Sequence, residues 1–153
     1  PHPRKKMNFD NLYDHAKALL KAYGKPDKSS YTDDRQILWI GDQPLFGKER
    51  REIKGHRDRH IKEAADLIYP EHDYILIAGG NTEIGMHRDA TYAAPTAISI
   101  NLGGEAYWEY RDAPQRLEHG EITEFNCKEL HGILEADCDR IVVAIWQRNP
   151  KWQ

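Results

Sequence analysis

The chain has 153 residues and a formal net charge of −3, one domain's worth of polypeptide with room for a single sizeable core. Hydrophobic residues make up 39% and 11 glycines add to them, a globular balance that excludes a disordered or collagen-like chain. No apolar run reaches the roughly 20 residues of a membrane span, and two cysteines, Cys127 and Cys138, are too few for a disulfide framework or a cysteine-rich zinc site. These features predict a soluble, intracellular, cytoplasmic protein with no membrane partner, Met7 being a candidate initiator behind Pro1-His2-Pro3.

Leu12, His15, Ala16, Leu19, Leu20 and Tyr23 recur near a 3.6 period, opened by Asp10/Asn11 and closed at Gly24, and predict a first helix. Residues 24–34 are polar and turn-rich; 36–40 read as a strand ended by Gly41-Asp42. Residues 48–62 (KERREIKGHRDRHIK) hold seven cations and three anions. That run is a solvated helix face or a phosphate-binding surface, on a chain whose residues 1–62 carry +6 and 63–153 carry −9. A second helix is predicted over 57–67, with Ile61, Ala64, Ala65 and Ile68 on one face. Beyond Pro70 the pattern turns to short β runs at 74–78, 84–89, 96–102, 106–111, 122–126, 131–134 and 140–147, separated by turn residues. Two helices before about seven strands predict a mainly β protein of α+β class, a sandwich or jelly roll with helices packed outside.

His87-Arg88-Asp89 places an imidazole and a carboxylate at i and i+2, on one side of an extended segment, where both can reach one cation. His56/Asp58 and His119/Glu121 share the spacing, so position decides. The first falls at a helix start, where i and i+2 diverge, and the second in a turn marked by Gly120. Two histidines and one carboxylate leave open positions on Fe(II) for a cosubstrate and oxygen, and His131, opening the strand at 131–134, is the candidate third ligand. Nine residues on, Arg140 shares a face by parity with Val142, Ala144 and Trp146. A cation among apolar neighbours requires a partner. That partner is a bidentately held dicarboxylate or a local acid, Asp137 or Asp139. No asparagine stands five residues beyond Asp89 or Asp58 as a kinase loop requires, and no Gly-x-Ser-x-Gly occurs. Ala78-Gly79-Gly80-Asn81 lacks the lysine of a phosphate loop.

Together these segments resemble the Fe(II)/2-oxoglutarate-dependent dioxygenases, most closely the AlkB-like branch, over residues 61–148. The likeness is carried by IGMHRD (84–89), APTAISINLG (94–103), YWEY (107–110), LEHGE (117–121), His131-Gly132-Ile133 and RIVVAIWQ (140–147), and is specific in combination. It implies a double-stranded β-helix in one domain over 1–153, with a helical and strand region at 1–72 before the core at 73–148. Fe(II) would rest on His87, Asp89 and His131, and the distal carboxylate of 2-oxoglutarate on Arg140; O2 is the second cosubstrate. The implied reaction is decarboxylation to succinate coupled to hydroxylation of a substrate C–H bond, which on an N-methyl group gives demethylation. His119 then becomes a turn residue. Ala78 and Trp146 stand where that branch usually has a tyrosine and often a second arginine, and its nucleotide-recognition lid shrinks to residues 39–51. Asn101 and Asn126 are candidates for bonding the cosubstrate. Arg88 and Tyr92 are placed at the pocket mouth, and Trp39, Trp108 and Trp146 offer a surface for stacking a base. A nucleobase or short single-stranded nucleic acid, held by residues 48–62, is one substrate class; an amino acid, peptide or small metabolite is another. The third reading is a non-catalytic metal-binding jelly-roll module.

Overall fold

The structure, a computed structural model, describes residues 7–45 and 50–152. Pro1-His2-Pro3, Lys48 and Glu49 of the basic run, and residues 46–49 of the lid segment lie outside the described residues. Helix α1 (Phe9–Tyr23) is capped by Asn8, whose side chain accepts the Asn11 N–H, and closes where the Gly24 N–H meets Leu20 O. Helix α2 (Arg59–Ile68) begins two residues later than its apolar pattern predicts. Asp58 is the cap, extended in backbone and accepting the Ile61 N–H at 2.9 Å, and a cap leaves the residue before it outside the helix.

The strands are β1 (Lys25–Pro26), β2 (Arg35–Ile40), β3 (Asp42–Leu45), β4 (Arg51–Lys54), β5 (Tyr74–Gly80), β6 (Ile84–His87), β7 (Ala93–Leu102), β8 (Ala106–Tyr110), β9 (Ala113–Leu117), β10 (Ile122–Asn126), β11 (His131–Ala136) and β12 (Ile141–Arg148). Six form a major sheet in the order β1-β2-β5-β12-β7-β10 and four a minor sheet, β6-β11-β8-β9, while β3 and β4 make a hairpin of their own. From β5 onward the chain passes back and forth between the two larger sheets through antiparallel pairings. This is a double-stranded β-helix, the jelly-roll architecture expected from the resemblance. All seven runs beyond Pro70 are strands. The extra ones, β1, β3, β4 and β9, are short and largely polar or proline-bearing, so no alternation marks them. Pairing makes them strands: Arg111 and Asp112, both at φ 56°, turn β8 back into β9.

The two faces of the major sheet are buried against different things. Leu12, Ala16, Ile61 and Ala65 of the helices pack on Ile75, Ile77, Ile98, Ile100, Ile141, Val143 and Ile145. The opposite face turns into the barrel with Trp39, Tyr74, Leu76, Ala97 and Trp146, toward Ala106, Trp108, Leu117 and Ile133 of the minor sheet. Burial on both faces accounts for the continuous apolar run of β12. Its alternate residues, Ala144 and Trp146, are left to line the interior.

Candidate metal centre

β6 and β11 pair with His87 opposite His131, so two imidazoles stand side by side with ring centroids 4.4 Å apart. Gly132 permits that approach: a Cβ there would lie 2.9 Å from Ile84 O and 3.0 Å from Met86 Sδ. Two residues past His87, the Asp89 N–H donates to Cys127 O at 2.8 Å and fixes the carboxylate beside the rings. The donor atoms of His87, Asp89 and His131 all lie within 4.8 Å of one another. Asp89 Oδ1 is 3.2 Å from His87 Nε2 and 3.1 Å from His131 Nε2.

The hydrogen bonds behind the rings set their tautomers. His87 Nδ1 meets Gly85 O at 2.7 Å and His131 Nδ1 meets Glu129 O at 2.8 Å. A carbonyl only accepts, so each ring donates through Nδ1–H and turns the Nε2 lone pair toward Asp89. Three acceptors converging on one point call for a cation between them. Three mutually cis ligands at about 2.1 Å from an octahedral ion stand about 3 Å apart, the spacing seen here from Asp89 Oδ1 to each ring. Burial pushes the Asp89 carboxyl up, but the facing His131 and His87 rings and the indole N–H of Trp146 together favour its ionised form more strongly and hold it well below the usual carboxylate range. The donor set and its geometry therefore fit a divalent ion of the Fe(II) kind.

Trp146 has a different place from the one its sequence position implies. It is 6% exposed and its indole N–H donates to Asp89 Oδ2 at 2.9 Å, leaving Oδ1 for the centre. It serves the carboxylate rather than a substrate at the mouth. Around His131 the rings of Phe125 and Trp108 close in, at centroid distances of 4.9 and 5.5 Å. On the solvent side the half-exposed Tyr31 lies over His87, 5.3 Å between centroids. Nothing in the turn-rich sequence around Tyr31 marks it; Gly85 N–H donating to Tyr31 O at 2.9 Å holds it there.

Arg140 is 3% exposed. Its Nε donates to Asn101 Oδ1, and Asn101 in turn donates to Gly104 O, so Asn101 orients the arginine. Asp137, one of the two local acids, is engaged elsewhere, its Oδ2 accepting the Glu105 N–H, and among the described residues no ion pair joins Arg140 to Asp137 or Asp139. Arg140 Nη1 is buried and has no hydrogen-bond partner among the described residues. Burial, with the charge of Arg35 adding to it, pulls the guanidinium down to about 10. A buried, uncompensated cation with a free N–H is a site for a carboxylate.

Other expected site residues fall elsewhere. Tyr92 is not at the mouth: it is 6% exposed, packed among Trp39, Tyr74, Trp146 and Trp152, because it leads into β7, where both faces are covered. Arg88 is exposed between the two ligands. Asn126 ends β10, and its Oδ1 accepts the Lys128 N–H in the turn that follows. Trp39, Trp108 and Trp146 are all buried and offer no open stacking surface, since each lies on an inward strand position. His119 accepts the Gly103 N–H and bonds Asp10, pinning α1 to the turn. His56 stacks on Tyr23 and His60 on His15, so those two histidines face different partners. Among the described residues no helix is long and apolar enough to cross a membrane.

No family model and no curated protein matches the sequence. Solved structures do match. A Pseudomonas putida prolyl-4-hydroxylase superposes with a TM-score of 0.62 at 13% identity, covering 94% of this chain and 89% of that one. An oxidoreductase of the 2OG-Fe(II) oxygenase family from Burkholderia pseudomallei gives 0.56 at 17% identity, covering 89% and 76%. At these identities the likeness is one of fold.

Proposed function

We propose that this chain is an Fe(II)- and 2-oxoglutarate-dependent oxygenase that hydroxylates a C–H bond of a peptide, amino acid or small metabolite. The observation that carries the reading is the pairing of two features inside one barrel. Three acceptor atoms converge at His87, Asp89 and His131, and a buried arginine without a counter-charge among the described residues, Arg140, stands at the entry to β12 of the facing sheet. His87, Asp89 and His131 would hold the metal ion, and Arg140 would take the distal carboxylate of 2-oxoglutarate.

Bound Fe(II) supplies oxygen activation coupled to oxidative decarboxylation of the chelated 2-oxo acid. The protein's own groups do the positioning. His87 and His131 present Nε2 because their Nδ1–H groups are tied to backbone carbonyls. Asp89 presents one oxygen because Trp146 holds the other. The Asp89 carboxylate would neutralise half the charge of a divalent ion, leaving the site receptive to an anionic chelator. Arg140, braced by Asn101, keeps Nη1 for the distal carboxylate. Trp108 and Phe125 keep water from the His131 side, and substrate approaches past Tyr31. The prolyl-4-hydroxylase likeness and the burial of Trp39, Trp108 and Trp146 favour a peptide or small molecule over a stacked nucleobase. The basic run at 48–62 remains the one feature in favour of nucleic acid.

Anaerobic addition of Fe(II) and 2-oxoglutarate tests the reading by the visible charge-transfer band of the chelate. The band is expected in the wild type, absent in His87→Ala and weakened in Arg140→Ala. Succinate release is then compared with prolyl peptides, free amino acids and N-methylated oligonucleotides. Folded wild-type protein with iron in excess and no band would transfer the site to the non-catalytic binding-module reading.

A further inference from the structure

Arg140 does not stand alone. Arg35 pairs with Gly80 across β2 and β5, and Val142 with Ala78 across β12 and β5. Continued two residues beyond Val142, this register would bring Arg140, the residue just before β12, level with Gly80 from the other side. The parity is the same for both arginines. Ile37 and Trp39 follow Arg35 into the interior cluster, as Ala144 and Trp146 follow Arg140. Neighbouring strands are about 4.8 Å apart, so two guanidinium arms rise from backbones about 10 Å apart, over a residue with no side chain. The next inward residue between them, Ala78, is only a methyl.

Both arms are withdrawn from water, with 12% of the Arg35 side chain exposed and 3% of Arg140. Among the described residues one carboxylate is ion-paired to either: Asp27 Oδ2 lies 3.4 Å from Arg35 Nε, a contact without the alignment of a hydrogen bond. Two buried positive charges thus face one negative charge, a costly imbalance in a poorly solvated interior. One further carboxylate brings the count to zero. The electrostatics agree with the geometry. Arg35 adds to the lowering at Arg140, and Arg35 is itself held below its ordinary value by burial against the opposing pull of Asp27, Tyr92 and Asp89. Arg35 is therefore within electrostatic reach of both the distal cation and the metal-binding carboxylate.

We propose that Arg35 is a second cationic arm of the dicarboxylate site, so that the distal carboxylate of 2-oxoglutarate is met by Arg140 at the entry to β12 and by Arg35 from β2, across Gly80. This rests on the reading of the site given above. It assigns a role to a residue that lies 52 positions before the first ligand in the sequence.

The test is isothermal titration of 2-oxoglutarate, succinate and 2-oxobutyrate into Mn(II)-loaded protein. 2-Oxobutyrate keeps the chelating 2-oxo acid and lacks the distal carboxylate. Arg35→Gln is expected to weaken 2-oxoglutarate and succinate by roughly 10- to 100-fold, the loss of a charge-assisted partner, and to leave 2-oxobutyrate and Mn(II) affinity within about threefold. Arg35→Lys is expected to recover part of the loss. Asp27→Asn, which keeps the Oδ1 that accepts the Ser29 N–H, is expected to tighten both dicarboxylates. Unchanged dicarboxylate affinity in Arg35→Gln, alongside its loss in Arg140→Gln, overturns the role of Arg35 and leaves the oxygenase reading standing. An equal loss of 2-oxobutyrate overturns it too, because Arg35 would then act at the metal end or on the fold. Wild-type protein that takes Mn(II) but no 2-oxo acid removes both. If Arg35→Gln fails to fold, Asp27→Asn decides alone, and unchanged affinity there counts against the proposal.

Discussion

Replacing Trp146 by phenylalanine removes one hydrogen from the candidate metal centre and little else in kind. The indole N–H donates to Asp89 Oδ2 at 2.9 Å, in a place where the Asp89 side chain is 10% exposed and water cannot take over. Taking a donor from a buried, charged acceptor costs about 1.5–3 kcal/mol. The smaller ring also loosens its packing against Trp39 and Tyr92, each 5.8 Å away between centroids. A freed Oδ2 can turn toward the metal position, and groups that orient a ligand in this way typically change metal affinity about 10- to 100-fold. Trp146→Phe is therefore expected to weaken Mn(II) binding, measured by titration calorimetry, by about that factor while the protein still unfolds cooperatively on heating. The pH at which metal binding is half lost should also rise, because Trp146 is among the groups that hold the Asp89 carboxyl below its usual range. Mn(II) affinity within twofold of wild type, in a folded variant, would refute the assignment of Trp146 as a positioning residue.

Arg140→Met removes a buried charge that has no counter-ion, so the metal-free protein should melt at the same temperature as wild type or higher while 2-oxoglutarate binding is lost; a clearly lower midpoint would mean that Arg140 is structural. Gly132→Ala forces a methyl against Ile84 O and Met86 Sδ and must push β6 from β11, so stability should fall by about 1–3 kcal/mol and metal affinity with it. Unchanged affinity would show that the His87–His131 spacing does not depend on this close approach. The Asp58 carboxyl is pushed up by burial but pulled further down by the Ile61 N–H and by His15, so its folded value lies below the usual 3.8. Its stabilisation is then complete above about pH 4 and fades as the pH falls through the lower folded value. Asp58→Ala should cost about 1 kcal/mol at neutral pH, with the gap to wild type closing in strong acid by urea denaturation.

What can be read from this sequence is what depends on neighbours along the chain. Short β-prone runs separated by turn residues locate β5 through β8 and β10 through β12, and the spacing of His87 and Asp89 puts both on one side of an extended segment. Parity along β12 sends Ile145 one way and Trp146 the other because successive side chains must alternate. The caps of α1 and α2 are equally local, and the prediction erred there by only a residue or two. What crosses between strands has no such signature. β9 has no alternation of its own and exists because β8 pairs with it. Tyr92 looks like a loop aromatic until the ends of β2, β5 and β12 close around it. Arg35 looks like the polar start of a strand until β5 brings Gly80 between it and Arg140, and only the fold sets Trp146 against Asp89. Registers between strands are chosen by the packing of the whole barrel, in which shifting one strand by a single residue would turn every side chain to its other face. The sequence therefore determined which residues could share a face, and the tertiary structure decided which of those faces meet.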